Sequence, residues 1–421
     1  MKALTLTTAT AVVALAAGGA QAQDVFVGHL ADLTGATASI GVAYADGIAD
    51  AFSWYNANGG IDGTAIEFET IDYAYQAPRA VSIYQDWVSD DVVAIQGWGT
   101  ADTEALIQFV AEDEIPYFSA SYSGALTDPT GDAERSPEAA PYNFFYGPSY
   151  SDACRALAEW AWQDWQEMGG EGTPIWVHMG ADHPYPESPR VACTEYATEL
   201  GFEVADPIQY SMGPADFSAQ CLTLNEVGAD YAYLANIAGA NIAMLNSCAN
   251  VGVETQFVSN VWGYDENVMR AAGAAADGVV VAVRTQSIFT DDNEAIARVR
   301  EIAGGDDYQV LSYLSGVCSA AYMVEAMRGA YEADGEVTGP GIKAYIEAQS
   351  DWVPEGLDGL CYPSTWTAED HRGLMTVSIY QGHVDGATEG QEVADLVADG
   401  VMSLEQVGEI TLERRPEWLG Y

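Results

Sequence analysis

Short apolar runs alternate along the chain with longer stretches whose apolar residues recur at helical spacing. Val25-Phe26-Val27-Gly28 is followed by a helical pattern from Ala43 to Asn58. Ile66 to Ile71 reads as a strand and Ala77 to Ser89 as a helix. The order repeats with Val92 to Gln96 as strand, Thr103 to Glu112 as helix and Tyr117-Phe118 as strand. Farther on, Ala153 to Met168 and Ser188 to Leu200 are helical, whereas Thr173 to His178, Tyr231 to Ala235, Phe257-Val258 and Val279 to Val283 are strand-like. Strands alternating with helices of this length predict an α/β fold with parallel sheets and right-handed crossovers. Such sheets gather ligand loops at the carboxyl ends of their strands. The segments after Val27, Ile95, Phe118, His178, Ala235 and Val258 are therefore the candidate walls of a site.

One of these segments, Ile95-Gln96-Gly97-Trp98-Gly99-Thr100, sets a large ring between two glycines. Glycine favours neither strand nor helix. Trp98 either plugs a core or faces a ligand, and the glycines leave N–H groups accessible beside it.

The chain has 421 residues, natural for two lobes of ordinary size. One lysine, an apolar stretch from Ala9 to Ala17 and the small-residue site Ala20-Gln21-Ala22 predict a secretory signal peptide over residues 1–22. No later stretch approaches the ~20 uninterrupted apolar residues of a membrane span. The first cysteine is Cys154, so no lipid-bearing cysteine follows the cleavage point. An exported, soluble product is expected, neither a lipoprotein nor membrane-embedded.

Six cysteines in an exported chain favour disulfides. Cys154 and Cys193 lie in consecutive helix-like segments, as do Cys221 and Cys248, which leaves Cys318 and Cys361. The sequential pairing is expected, with buried free thiols as the alternative. No CxxC or CxxH spacing suggests a metal, and His178, Asp182 and His183 on a proline-containing loop are a weak candidate. Phosphate-cradling, dinucleotide and nucleophile-elbow motifs are missing too, so neither cofactor nor catalysis is expected. Net charge is −49, from 63 acidic and 14 basic residues. That excludes nucleic acid, whose phosphates need a basic surface. The acids are scattered and read as a solvated coat suited to a salty medium. There the Debye length falls to a few Å, so the coat does not decide the sign of a ligand.

The most specific signal is SWYNANGGIDGTAIEF, from Ser53 to Phe68. A helix ends near Asn56-Ala57-Asn58, Gly59-Gly60 stop it, and Asp62-Gly63 turn into the next strand. This pattern resembles the periplasmic leucine/isoleucine/valine-binding protein family, the solute receptors of ABC importers. Leu33-Thr34-Gly35-Ala36 with Gly41, Gly228-Ala229-Asp230, and Thr365 to Gly373 match the family in order. The resemblance runs from about Val25 to Gly382 and leaves residues 385–421 as an extension without an assigned role. It implies a type I periplasmic binding protein fold, with two doubly wound parallel-sheet lobes joined by three crossover segments. Those would lie near Tyr146, Arg284 and Pro363, giving lobe one residues 23–145 and 285–362, and lobe two residues 146–284 and 363–421. The lobes would close about a hinge on a small-molecule ligand. The implied protein is a periplasmic monomer whose partners are the permease subunits of an ABC importer. A receptor that signals to a membrane sensor is the alternative.

In the family, hydroxyls and N–H groups after the third and fourth strands hold the ligand carboxylate. Here those loops are Gly97 to Thr100 and Ser119 to Ser123, each expected to lead into a helix whose amino end favours an anion. Thr100, Ser121 and Ser123 would add donors, or serve only as caps. Tyr185 falls near the aromatic that covers the ligand from lobe two, with Pro186 where the family usually has glycine. Tyr150 lies near the first crossover, as a ligand contact or as hinge packing. Family members that bind α-amino acids commonly place an acid after the strand matching Phe257-Val258. This chain reads Ser259-Asn260-Val261-Trp262-Gly263-Tyr264, with no carboxylate before Asp265. A buried ammonium without a counter-charge costs several kcal/mol, and Asn236 and Asn260 bond either sign. Trp98, Tyr122, Tyr185 and Trp262 would wall a cleft for a flat or apolar carboxylic acid or amide. The same rings suit a quaternary amine or a plain core, and a hydrophobic amino acid stays as an alternative ligand. Arg79 and Arg190 read as surface residues, and His371 as structural.

Overall fold

The computed structural model describes residues 25–421, so the predicted signal peptide lies outside the described residues. Strands β1 (Val25–Ala31), β2 (Ile66–Asp72), β3 (Ala94–Gln96), β4 (Tyr117–Phe118) and β5 (Asn143–Phe144) form one parallel sheet in the order β2-β1-β3-β4-β5. A second sheet comprises β6 (Ile175–Gly180), β7 (Glu203–Val204), β8 (Ile208–Gln209), β9 (Tyr231–Ala235), β10 (Gln256–Ser259), β11 (Val280–Ala282), β12 (Thr376–Val384) and β13 (Met402–Thr411). Its order is β13-β12-β11-β10-β9-β6-β7, with β8 also on β6. Each sheet is the core of one body, called here lobe one and lobe two. The strand order reverses beside β1 in lobe one and beside β6 in lobe two, which opens a crevice at the carboxyl ends of the strands.

The glycine-rich turn does what its sequence suggests, and one side chain makes it specific. Gly60 has φ +54°, and a Cβ there would sit 2.0 Å from the Thr64 carbonyl oxygen. Asn56 closes the unit: its Oδ1 accepts from Ile66 N at 2.8 Å, and its Nδ2 donates to Ile66 O at 2.9 Å. The end of helix Ala38–Ala57 is thereby pinned to the start of β2.

That helix crosses the long helix Leu311–Asp334 with backbone against backbone. A Cβ on Gly47 would lie 2.2 Å from Tyr313 O, and one on Gly316 2.2 Å from Tyr44 O. Gly316→Val should therefore force the helices apart and cost about 1–3 kcal/mol, the usual range for overpacking. A urea midpoint equal to that of the unmodified protein would show that the crossing tolerates side chains.

Three expectations are corrected. The segment Ser119 to Ser123 leads into a single 3₁₀ turn, Gly124–Leu126, and not into an α-helix. One turn aligns too few peptides for the expected anion-favouring dipole. The helix expected from Ala153 starts at Tyr150, because Ser149 caps it by accepting from Asp152 N. The second sheet is also not wholly parallel. β12 runs antiparallel to β11, and β13 antiparallel to β12.

Strand β13 belongs to the extension. Beyond it Arg414 pairs with Asp370 at 3.0 Å and Arg415 with Glu199 at 2.9 Å. Trp418 packs edge-on against Tyr196, with Arg155 4.1 Å above its ring. Gly420 N donates to Thr127 Oγ1 at 3.0 Å, and Arg135 lies 3.5 Å over the Tyr421 ring. The Tyr421 hydroxyl donates to Glu195, which also pairs with Arg135. Thr127 and Arg135 lie between β4 and β5, whereas Glu195 and Glu199 lie on helix Arg190–Leu200 of lobe two. The tail thus touches both lobes.

Disulfides join Cys154 to Cys193, Cys221 to Cys248 and Cys318 to Cys361.

Candidate functional site

The loops at the carboxyl ends of the two sheets meet around a small cavity. Lobe one supplies Thr37, Ser39 and Ile40 after β1, Tyr75 after β2, Trp98, Gly99 and Thr100 after β3, and Ala120 after β4. Lobe two supplies Tyr150, Tyr185, Ile237, Ala238 and Trp262. The space open to the centre of a water molecule is about 20 Å³, enough for roughly one water. The two walls are nearly in contact, and a ligand of any size requires them to part. A wider groove of about 1070 Å³ opens elsewhere on lobe two, beside Trp160, Trp165 and Glu409. It lies near Tyr231 and Gln256, at the amino ends of β9 and β10, away from the loop-bearing strand ends.

Trp98 is fixed from the β1 loop. Its Nε1 donates to Thr37 Oγ1 at 2.7 Å, and that hydroxyl donates to buried Asp32 at 2.6 Å. Trp262 reaches across the cleft from lobe two and donates to Ala120 O at 3.0 Å. The Tyr150 hydroxyl donates to the same carbonyl at 3.2 Å. The Trp98 and Trp262 rings stand 5.0 Å apart, and Tyr44 packs on both at 5.1 and 5.5 Å. Ser188 Oγ donates to Ser123 Oγ at 2.9 Å, which adds another contact between the lobes.

The glycines beside Trp98 serve close packing. A Cβ on Gly97 would lie 2.1 Å from the Tyr117 ring, and one on Gly99 2.3 Å from Asp102 Oδ1. Their amides are already engaged: Gly97 N donates to Phe118 O at 2.8 Å, and Gly99 N to Tyr73 Oη and Asp102 Oδ2, each at 3.1 Å. The expectation that these N–H groups are open to a ligand is therefore corrected. Burial pushes the Asp102 carboxyl up to about 7, against the hydrogen bonds from Tyr73 and Gly99 that favour its charged form.

Trp98, Thr100, Tyr150, Tyr185 and Trp262 line the cavity. The other expected residues are buried but stand back from it. Ser121 Oγ donates to Thr100 Oγ1 at 2.9 Å and so orients a wall residue. Tyr122 packs on Trp262 at 5.4 Å, and its hydroxyl has no hydrogen-bond partner among the described residues. Asn236 Oδ1 accepts from Ile237 N, and its amide donates to Tyr210 and Ser211 carbonyls. Asn260 Nδ2 reaches Asn236 O at 3.4 Å. Both asparagines therefore hold loops. Ala120, Ile237 and Ala238 fall in loops expected to form walls but were not singled out, and Thr37, Ser39, Ile40 and Tyr75 were not anticipated. Thr37 follows the Leu33-Thr34-Gly35-Ala36 match, a signal that could have extended to it. Tyr75 carried none: it enters the cavity because Ala74 and Tyr75 adopt left-handed φ values of 53° and 56°.

Among the described residues no cluster of His, Cys, Asp or Glu could hold a metal. His178 lies against Tyr233, and burial pushes its pKa down to about 3. Arg190 pairs with Glu187, and His371 bonds to Asn143 O and Glu347.

The geometry agrees with what the chain is similar to. A family described as periplasmic binding protein matches residues 24–388. No curated relative matches the chain. An ABC transporter substrate-binding protein from Aeropyrum pernix is 26% identical, with a TM-score of 0.76 over 94% of this chain and 98% of that one. A branched-chain amino acid ABC transporter protein from Thermus thermophilus with bound valine is 20% identical, with a TM-score of 0.75 over 85% and 93%. An R. palustris ABC transporter solute-binding protein in complex with benzoate is 17% identical, with a TM-score of 0.70 over 85% and 93%. With the family matched over most of its length and a cavity where its two sheets face each other, the chain belongs to the periplasmic binding protein family.

Proposed function

We propose that the protein is the solute-binding receptor of a branched-chain-amino-acid-type ABC importer. It captures a small organic ligand in the interlobe cleft and delivers it to the membrane permease. The ligand class is a carboxylic acid or amide with an aromatic or apolar body. One observation carries this reading: the cavity wall is aromatic and apolar, with a few hydroxyls and no carboxylate. Asp265, the first acid after β10, is buried and spends its oxygens on Asn267 N, Val268 N and Ser312 Oγ. An α-ammonium would therefore enter unpaired, at a cost of several kcal/mol. Proteins of the same fold hold valine in one case and benzoate in another, so the fold itself leaves the ligand open. Export to the periplasm completes the proposal, and among the described residues no helix is long and apolar enough to cross a membrane.

A thermal-shift panel tests it. A ligand at 100 times its Kd adds about 2.7 kcal/mol of stability. Aromatic and branched-chain carboxylic acids or amides should stabilise the protein, and leucine and valine should do so less. Strong stabilisation by leucine with none by its deaminated analogue would overturn the ligand class.

A further inference from the structure

Directly behind the cavity wall lies a buried cation. Arg284 is 3% exposed, and its guanidinium sits 3.9 Å over the Trp262 ring. Its Nε donates to Ser315 Oγ at 3.0 Å. Among the described residues no carboxylate lies within ion-pair distance of it, and arginine does not shed its proton. The acids in its neighbourhood are Asp265 and Glu266. Asp265 is occupied as described above, and Glu266 accepts from Tyr308 at 2.9 Å and Leu311 N at 3.1 Å. Burial raises the pKa of both acids, that of Glu266 to about 7. Neither acid stands within ion-pair distance, so they offset the field of the arginine only in part.

That field reaches the cavity through one ring. Trp262 forms part of the wall and has Arg284 on one face. An atom in contact with the ring on the side opposite Arg284 lies about 7 Å from the guanidinium. At an effective dielectric near 20, one unit charge there shifts an equilibrium by about 10- to 50-fold. No charged side chain lines the cavity itself, and the opposing carboxylates, Asp32 and Asp102, stand behind Thr37 and Gly99 on the other wall. The Tyr185 hydroxyl, on the same wall, is buried without a hydrogen-bond partner among the described residues and can donate.

We propose that Arg284, acting across Trp262, makes the cleft selective for organic anions over amides and ammonium compounds. This rests on the cleft being the binding site. It also disfavours a cage for quaternary amines, because a cation against Trp262 would face the like charge of Arg284 across the ring.

The test is calorimetric titration of the mature protein with matched ligands. One series is benzoate, benzamide and benzylamine; the other is 4-methylpentanoate, its amide and leucine. The acid should bind at least about 10-fold tighter than its amide, and the amine weakest. Arg284→Gln should bring acid and amide within about 3-fold while amide affinity holds, and Arg284→Lys should keep the preference. An unchanged ratio in Arg284→Gln overturns the inference. So does a wild-type protein that binds amide or amine as tightly as acid, or binds no acid, and that result stands even if Arg284→Gln does not fold. These outcomes leave the cleft reading intact. That reading fails separately, if a bound ligand's affinity is indifferent to both Trp98→Ala and Trp262→Ala.

Discussion

Trp262→Ala is expected to weaken ligand binding by about 30- to 1000-fold, the range for an aromatic anchor at the centre of an interface. The ring does three things at once. It walls the cavity, packs at a tilt against Trp98 at 5.0 Å, and ties lobe two to Ala120 O of lobe one at 3.0 Å. Removing it takes away contact area for the ligand and a bond that belongs to the closed form. Affinity depends on both, since a ligand draws on the fraction of molecules able to close around it. The measurement is a titration with the tightest member of the carboxylate panel, alongside a denaturation curve. Because Trp262 sits where the two lobes meet, folding of each lobe should survive. A variant that unfolds easily yet binds with unchanged affinity would make the ring a core residue and not a wall.

Replacing Cys318 and Cys361 together by alanine should cost about 4 kcal/mol, by the chain-entropy estimate for a loop of this length. The pair is separated by 43 residues, against 39 and 27 for the other two, so its removal frees the most chain. Both side chains are fully buried, and Cys318 lies on the helix that crosses Gly47. Alanine is chosen because serine would bury a hydroxyl without a partner. Domains are stable by about 5–15 kcal/mol, so the loss is a large fraction of the total. Guanidinium denaturation should show a lower midpoint for the double variant, and reductant should move the unmodified protein toward it. If neither changes the midpoint, this disulfide contributes little to stability.

Much of the fold was legible because strand and helix leave different periods in the sequence. Helix Ala77–Ser89 and strand Tyr231–Ala235 appear where the apolar pattern places them. The Gly59-Gly60 turn was legible because its backbone admits few other residues. Antiparallel β13 was not read, since pairing direction is set by the return path of the chain and not by periodicity. In the site, the large rings were readable and the reasons for them were not. Trp98 was found, but its glycines prove to make room for Tyr117 and Asp102. Asn236 and Asn260 looked like contacts because they are polar and sit after strands. In the structure the Asn236 side chain is used up by neighbouring carbonyls and an amide, and Asn260 gives its Nδ2 to Asn236 O while its Oδ1 has no partner among the described residues. Arg284 read only as a crossover position, because nothing in its local sequence reveals that Trp262 would stack on it.

The tail has a mechanical consequence. Beyond β13 it leans on helix Arg190–Leu200 through Trp418 and Arg415, then seats Tyr421 against Arg135 and Glu195. Any rotation that carries Glu195 away from Arg135 has to unseat that ring. The Arg135–Glu195 pair is half-exposed and worth about 1 kcal/mol or less. On the proposed parting of the lobes, that pair would act as a detent and not as a lock: a shallow catch that yields to thermal motion.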